Sequence, residues 1–93
     1  MVIGVVTASI SIPEARSLKD KRSVLRSLKD RILNKMNVSV AEVGRQDAWQ
    51  FSELAFVTVA ATSEIVQTRL SELSEFLRST PRYNVIDIHT EMI

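Results

Sequence analysis

The stretch VSVAEVGRQDAWQFSELAFVTVAAT, residues 38–62, decides the fold. Two segments rich in β-branched residues, 38–43 and 51–62, flank the polar loop GRQDAWQ. Two strands joined by so short a loop form an antiparallel hairpin, because parallel strands need a longer crossover connection. The middle of the chain is therefore predicted to be a β-hairpin. In its first strand the apolar parity shifts between Val40 and Val43, which indicates a bulge or a twist.

A strand and a helix are predicted upstream of this hairpin. Residues 2–12 are rich in β-branched residues and form a strongly apolar face and a mixed face, and Pro13 ends the strand. Ser17 then begins a helix, because a Ser followed three residues later by Asp20 is a helix-capping signal. Asn37 closes this helix. Its apolar stripe consists of Leu18, Val24, Leu25, Leu28, Ile32 and Met36.

A second helix and a fourth strand are predicted downstream. Ser63 begins the helix, which runs to about Ser79 and is stopped by Pro81. Residues 83–93 alternate in polarity again and predict a strand. The apolar stripe of the second helix consists of Val66, Leu70, Leu73 and Leu77.

The predicted element order is β-α-β-β-α-β. Two right-handed βαβ crossovers joined by a hairpin give a four-stranded antiparallel sheet of order 4-1-3-2, with both helices on one face. This architecture is the ferredoxin-like α+β sandwich, predicted as one domain over residues 1–93. Strand alternation predicts that the helices cover Val6, Ala8, Ile10, Val57, Val59, Ile86 and Ile88.

The opposite face of the sheet is predicted to be open to solvent. Strand alternation places on it Val5, Thr7, Leu54, Phe56, Thr58, Val85 and His89. Its apolar members Val5, Leu54, Phe56 and Val85 would form an exposed patch, and large exposed patches usually mark contacts. A homodimer that buries these four side chains is therefore one expectation.

Size and composition restrict the class of function. The 93 residues are 45% apolar and 25% charged, which is typical of a soluble domain. No apolar run approaches the roughly 20 residues of a membrane span, and the first 15 residues lack the basic leader of a signal peptide. Without Cys there is no disulfide, thiolate metal site or Cys nucleophile. A cytoplasmic location without membrane contact is expected.

The net charge of +1 conceals a segregation of charge. Residues 14–35 hold eight basic and three acidic side chains, a net of +5, and the remainder holds four basic and eight acidic, a net of −4. Helical spacing places Lys19, Arg22, Arg26 and Lys29 in one row beside the apolar stripe. Such a row suits contacts with phosphates, because each Lys or Arg that neutralises a phosphate releases a counterion.

Two other interpretations of the same helix remain open. Lys and Arg favour helices and their stems cover the edges of apolar stripes, so a merely solvated face produces the same row. The helix start is also a candidate anion site, where Ser17 and adjacent basic residues meet free N–H groups. Lys21 lies near the apolar stripe, and its stem is expected to extend outward to solvent.

Little else in the sequence points to chemistry. His89 lies on one strand between Asp87 and Glu91, and a single His with two carboxylates makes a poor metal site. No Ser/His/Asp set, Gly-rich phosphate loop or carboxylate cluster is present. A non-enzymatic protein with no cofactor, no metal and no identifiable small-molecule substrate is therefore expected.

Aromatic residues limit the mode of RNA binding. RNA-recognition motifs stack bases on aromatic side chains of the first and third strands. Here the first strand has none and the third has only Phe56 at its centre, so that mode is disfavoured. Trp49, in the hairpin loop, is expected either to anchor the loop against the sheet or to be an exposed interface aromatic.

Three stretches, PEARSLKDKR (13–22), NVSVAEVG (37–44) and QDAWQ (46–50), resemble the YlxP-like family of small bacterial proteins. The resemblance covers nearly the whole chain, and residues 17–22 are its most specific part. It implies a ferredoxin-like fold, no established catalytic residues, and a gene near translation and ribosome-maturation genes.

The sequence therefore favours two functions. The first is a binding module that contacts structured RNA or a ribonucleoprotein through the basic row of the first helix. The second is a homo-oligomeric interaction protein that uses the bare sheet face, with the basic helix merely solvated.

Overall fold

Six elements form in the predicted order in the computed structural model, which describes residues 1–93. The strands form one antiparallel sheet in the order β2-β3-β1-β4, so the ferredoxin-like α+β architecture and the 4-1-3-2 order are confirmed. In chain order the elements are β1 (Val2–Ser11), α1 (Leu18–Lys35), β2 (Ser39–Gly44), β3 (Phe51–Ala60), α2 (Ser63–Arg78) and β4 (Asn84–Met92).

Side-chain caps determine where both helices begin. The Ser17 hydroxyl accepts a hydrogen bond from the backbone N–H of Asp20 at 3.1 Å, as the sequence predicts. Thr62, one residue before the predicted Ser63, caps α2 by accepting from the N–H of Ile65 at 3.4 Å. Neither helix combines the length and the apolar character that a membrane-spanning helix needs.

The hydrophobic core lies between the sheet and the two helices. It includes the predicted stripe residues Leu25, Leu28 and Ile32 of α1, and all four predicted stripe residues of α2. Helix and sheet approach closely at Gly4, where a Cβ atom would lie 2.6 Å from the side chain of Val66. The two helices therefore cover one sheet face and leave the other open.

The predicted facing of β3 is wrong by one residue. Opposed residues in an antiparallel pair point to the same side of the sheet, and Val6 of the core is opposite Phe56. Leu54 and Phe56 lie beneath the helices, 0% and 1% exposed, and not on the open face. Val57 and Val59, predicted for the core, are 41% and 47% exposed on the open face.

Paired polar side chains make this orientation of β3 possible. Ser52 and Thr58 also face the helices and are buried, although Thr58 is predicted for the open face. The Ser52 hydroxyl donates to Glu42 Oε2 at 2.6 Å. The Thr58 hydroxyl donates to the carbonyl of Asn37 at 2.8 Å and accepts from Arg69 Nη1 at 2.9 Å. Because both hydroxyls have partners, their burial costs little.

The predicted facing of Val85 and Ile86 is also wrong, because β4 contains a β-bulge. The register of β1 with β4 shifts at Ile86, which has no opposed residue on β1. Val85 is consequently opposite Ile10 and packs against the core, whereas Ile86 is 59% exposed. Strict alternation carried through a bulge exchanges the two faces. Beyond the bulge, Ile88 packs against the core as predicted.

Lys21 is buried, and its predicted extension to solvent is wrong. Its side chain is 1% exposed, and its Nζ atom lies 2.9 Å from Glu42 Oε2. Four backbone carbonyl oxygens, those of Arg45, Gln46, Ala48 and Phe51, also lie 2.7–3.2 Å from Nζ, so its three N–H groups are shared among five acceptors. One ammonium group therefore ties α1 to β2, to the start of β3 and to the hairpin loop (residues 45–50) between them.

A second set of hydrogen bonds holds the hairpin loop from the other side. The side-chain amide of Gln50 donates to the carbonyl oxygens of Pro13 and Ala15, both at 3.1 Å. The carbonyl of Gln50 in turn accepts from the N–H of Ile12 at 2.8 Å. The bulge predicted in β2 is also present, since its register with β3 shifts between Glu42 and Gly44.

Tyr83 is a buried residue with an unsatisfied polar atom. The residue is 5% exposed and its hydroxyl has no hydrogen-bond partner. Burial raises the pKa of Tyr83 to about 12, and the positive charge of Arg31 opposes this rise. Tyr83 is the only Tyr in the chain, so its ionisation can be followed by absorbance.

The Lys21 contacts predict a large effect of Lys21→Met. Met preserves an unbranched stem but removes the donors, so Glu42 and four carbonyls are left without their partner. We expect the free energy of unfolding, measured by urea denaturation, to fall by about 3 kcal/mol. Lys19→Met, on the exposed side of the same helix, is the control and should change it by no more than about 0.5 kcal/mol. A decrease below about 1 kcal/mol for Lys21→Met would contradict the buried contacts.

The raised pKa of Tyr83 predicts an alkaline effect on stability. Because the folded value lies above the ordinary 10.0, the neutral phenol stabilises the fold fully below pH 10, and this contribution is lost as the pH rises through about 12. An absorbance titration of the folded protein should therefore reach its midpoint near pH 12. Tyr83→Phe should lose less stability than the wild type over this range. An ionisation midpoint at 10.0 in the folded state would exclude a buried hydroxyl.

Candidate functional site

The basic row (Lys19, Arg22, Arg26 and Lys29) lies along one side of α1 as predicted. Lys29 is half-buried and the other three are exposed. The row spans roughly 15 Å along the helix axis, at 1.5 Å per residue. None of the four side chains takes part in an ion pair, since both ion pairs of the chain involve other residues. Four positive charges are therefore available to a ligand.

A groove of about 350 Å³ lies between the basic row and β2, the outermost strand on this side. Its lining consists of Arg22, Leu25, Arg26, Lys29, Asp30, Leu33, Glu42 and Leu54. Glu42 is already paired with Lys21, so Asp30 is the one free carboxylate among the lining residues. The free charges of the groove are thus three basic and one acidic.

Three other basic residues of α1 are engaged within the fold. Lys21 is enclosed by the hairpin loop. On the far flank of the helix, Arg31 Cζ and Lys35 Nζ lie 4.9 Å and 5.4 Å from the centroid of the Phe76 ring on α2. Such cation–π contacts stabilise the seam between the two helices. The structure thereby separates the basic residues of α1 into an engaged set and a free row.

The start of α1 is poorly suited to an anion. The Ser17 hydroxyl already accepts from the Asp20 N–H. The Asp20 carboxylate accepts from the backbone N–H of Arg16 at 3.0 Å, so a negative charge already occupies the positive end of the helix dipole. A second anion would meet this carboxylate, which disfavours the anion-site interpretation.

One end of the open sheet face carries an apolar band, which consists of Ile3, Val5, Val57, Val59 and Ile93. The β1–β3 register places Val5 opposite Val57 and Ile3 opposite Val59. Ile3 and Ile93 exchange two backbone hydrogen bonds of 3.0 Å and 2.7 Å. Ile93 is 70% exposed, so the band presents aliphatic side chains to solvent.

The four residues predicted as an interface are not brought together. Val5 is the one member on the open face. Leu54 and Phe56 are fully buried beneath the helices, and Val85 packs against the core. An exposed apolar surface exists on this face as predicted, but Val57 and Val59 take the places assigned to Leu54 and Phe56.

The middle of the open face is polar. His89 lies opposite Thr7 and shares this face with Asp87 and Glu91, as strand alternation predicts. His89 Nε2 lies 2.8 Å from Asp87 Oδ2, with both side chains more than half exposed. An exposed pair of this kind contributes little to stability.

Aromatic and basic side chains are exposed together at the hairpin end of the sheet. Trp49 is 54% exposed and Phe51 is 39% exposed. Arg45 Cζ lies 5.1 Å from the centroid of the Phe51 ring. Of the two roles predicted for Trp49, the exposed aromatic agrees with the structure, because the side chains of Lys21 and Gln50 anchor the loop.

Comparisons with known proteins agree on a family. The family model described as "Protein of unknown function (DUF503)" matches residues 3–90. "Uncharacterized protein YlxP" of Bacillus subtilis (strain 168) is 33% identical over 90 residues, which cover 97% of this chain and 98% of that protein. A solved structure, "De novo designed protein Foldit4", is similar with a TM-score of 0.57 at 8% sequence identity. The match covers 100% of this chain and 97% of the designed chain. That likeness shows the fold alone.

The family match and the relative from Bacillus both span almost the whole chain, including the three stretches that resemble YlxP-like proteins. This protein belongs to the DUF503 family.

Proposed function

We propose that this protein is a non-enzymatic binding module that contacts structured RNA, or a ribonucleoprotein, through phosphates held by the basic row. The observation that carries the proposal is the division of basic side chains on α1. Lys21, Arg31 and Lys35 have partners within the fold, whereas the basic row has no ion pair. A positive array without internal partners maintains a field that attracts a polyanion.

The geometry of the basic row favours a phosphate backbone as the ligand. Successive members are three or four residues apart, so their Cα atoms are separated along the axis by roughly 4.5 to 6 Å. This regular spacing suits a linear series of charges more than one compact anion. Contacts of this kind are independent of base sequence and weaken as salt rises.

Charge reversal at Arg22 and Arg26 tests the proposal. We expect the double variant Arg22→Glu/Arg26→Glu to co-sediment less with ribosomal particles and to bind structured RNA more weakly, by similar factors for different sequences. The logarithmic salt dependence should flatten by roughly 0.7 to 0.9 for each phosphate that is no longer neutralised. Because both side chains are exposed, stability should change by no more than about 0.5 kcal/mol per site.

The matched control for this experiment is Arg78→Glu/Arg82→Glu, which changes net charge by the same amount at the last residue of α2 and in the connection that follows it. It should bind like the wild type, as should Ser27→Ala on the solvent side of α1. Equal weakening in both double variants would show that net charge alone matters. A further variant changes all four basic-row residues to Glu. If it still co-sediments like the wild type, the basic row is only a solvated surface and the proposal is wrong.

A second candidate function is self-association through the open sheet face. The apolar band favours it, because Val57, Val59 and Ile93 expose 41%, 47% and 70% of their surface. Contiguous apolar surface on a sheet is typical of a contact, and two such faces can pack against each other as the sheets of a sandwich do. In this alternative the basic row is solvated.

Sedimentation velocity with Val57→Glu tests self-association. We expect the wild type to form a homodimer at high concentration and Val57→Glu to be monomeric, because a buried unpaired carboxylate is costly. Ile65→Glu is the control. It changes an exposed residue of α2 and should leave the dimer intact. Phe56 is unsuitable for this test, because it lies in the core at 1% exposure and a Glu at this position is expected to destabilise the fold. A wild type that stays monomeric at high concentration would exclude this function.

A further inference from the structure

The hairpin loop and the first residue of β3 expose a set of flat side chains. Trp49 and Phe51 are both exposed, and Arg45 Cζ lies over the Phe51 ring, 5.1 Å from its centroid, in a cation–π pair called the Arg45–Phe51 stack below. Apart from the exposed imidazole of His89, the other aromatic rings are closed to solvent, since Phe56, Phe76 and Tyr83 are 1%, 7% and 5% exposed. Planar surfaces suitable for stacking are therefore concentrated at the hairpin end of the molecule.

The hairpin loop adjoins the N-terminal part of the basic row. Lys21 Nζ binds carbonyls of the loop at Arg45, Gln46 and Ala48, and Arg22 is the next residue of α1. The groove beside the basic row also includes Glu42, which Lys21 holds at 2.9 Å. A chain that follows the row toward the start of α1 therefore arrives at the hairpin loop.

The hydrogen bonds that hold the loop backbone do not involve the indole ring. Lys21 holds its carbonyls, Gln50 ties it to the β1–α1 connection, and Ala48 N–H donates to the Arg45 carbonyl at 3.1 Å. The exposed half of the Trp49 ring is thus not required for the fold. A rigid, exposed aromatic loses little conformational freedom when a ligand binds.

We propose that Trp49 and the Arg45–Phe51 stack are surfaces on which unpaired nucleobases stack, so that the RNA held by the basic row is single-stranded or looped at this end. This inference rests on the proposed function. Unpaired bases stack on aromatic rings and on guanidinium planes, whereas a continuous duplex keeps its base faces covered. Phosphates bind the row and the bases they carry turn onto the hairpin loop.

Fluorescence offers a direct test, because Trp49 is the only Trp in the chain. The probes are an oligouridylate single strand and a blunt-ended RNA duplex of the same length. We expect the single strand, and not the duplex, to quench the Trp49 emission. Trp49→Ala should lower the affinity for the single strand by roughly five- to a hundredfold and leave duplex affinity within about twofold.

Two further variants separate stacking from other effects. Trp49→Phe keeps an aromatic ring and should retain most of the affinity for the single strand. Ile65→Ala removes an exposed apolar side chain from α2 and should change neither affinity. Arg22→Glu/Arg26→Glu should weaken binding of both RNAs, because it removes phosphate contacts and not stacking.

The outcomes distinguish this inference from the proposed function. Suppose that Trp49→Ala binds both RNAs like the wild type and that Arg22→Glu/Arg26→Glu binds neither. This result overturns the stacking surface and leaves the proposed function standing. Unweakened binding of both RNAs by Arg22→Glu/Arg26→Glu overturns the proposed function, and the inference falls with it. Unchanged Trp49 emission in wild type saturated with the single strand also overturns the stacking surface.

Discussion

The ammonium group of Lys21 is the contact on which the candidate site depends. It meets Glu42 on β2, three carbonyls of the hairpin loop and the carbonyl of Phe51 on β3. These contacts determine where α1 lies against the edge of the sheet. Because the helix is held there, the basic row borders β2 and the groove of about 350 Å³ forms between them. The same contacts hold the loop that exposes Trp49.

Burial of this charge is tolerable because its partners are complete. An isolated ammonium group is very costly to remove from water, and a carboxylate with several oriented carbonyls compensates for that cost. Glu42 is itself supported by the Ser52 hydroxyl at 2.6 Å. Neither Met nor Arg reproduces the arrangement, since Met has no donor and the planar guanidinium of Arg does not fit acceptors that surround one atom. Lys21 therefore determines the conformation of the hairpin loop as well as contributing to stability.

The element order and topology follow from local signals in the chain. The hairpin at residues 38–62, the Ser17 cap and the two apolar stripes suffice to predict the fold. The facing of β3 does not follow, because apolar residues occupy both of its parities. Its facing buries Ser52 and Thr58 beneath the helices, which is possible because both hydroxyls have hydrogen-bond partners distant in sequence. The bulge at Ile86 likewise gives no clear signal in the alternation of β4.

The candidate site is predictable to a similar extent. The basic row needs only helical geometry and lies where the periodicity places it. The role of Lys21 depends on a carbonyl arrangement that exists after the hairpin has folded. Its signals in the sequence are a Lys at an apolar angle of the helix and an acidic Glu42 within a strand. The Arg45–Phe51 stack depends on the loop conformation, in which Arg45 adopts a φ of 59°.

The most direct test of the role of Lys21 is nuclear magnetic resonance of the lysine side-chain ammonium groups, of which the chain has four. The buried contacts predict that one ammonium signal, assigned to Lys21, exchanges its hydrogens with water far more slowly than the other three and correlates across hydrogen bonds with loop carbonyls. In Lys21→Met this signal should vanish, and amide hydrogens of the hairpin loop should lose their protection. Four ammonium groups that all exchange at the rate of exposed lysines would contradict the central role of Lys21.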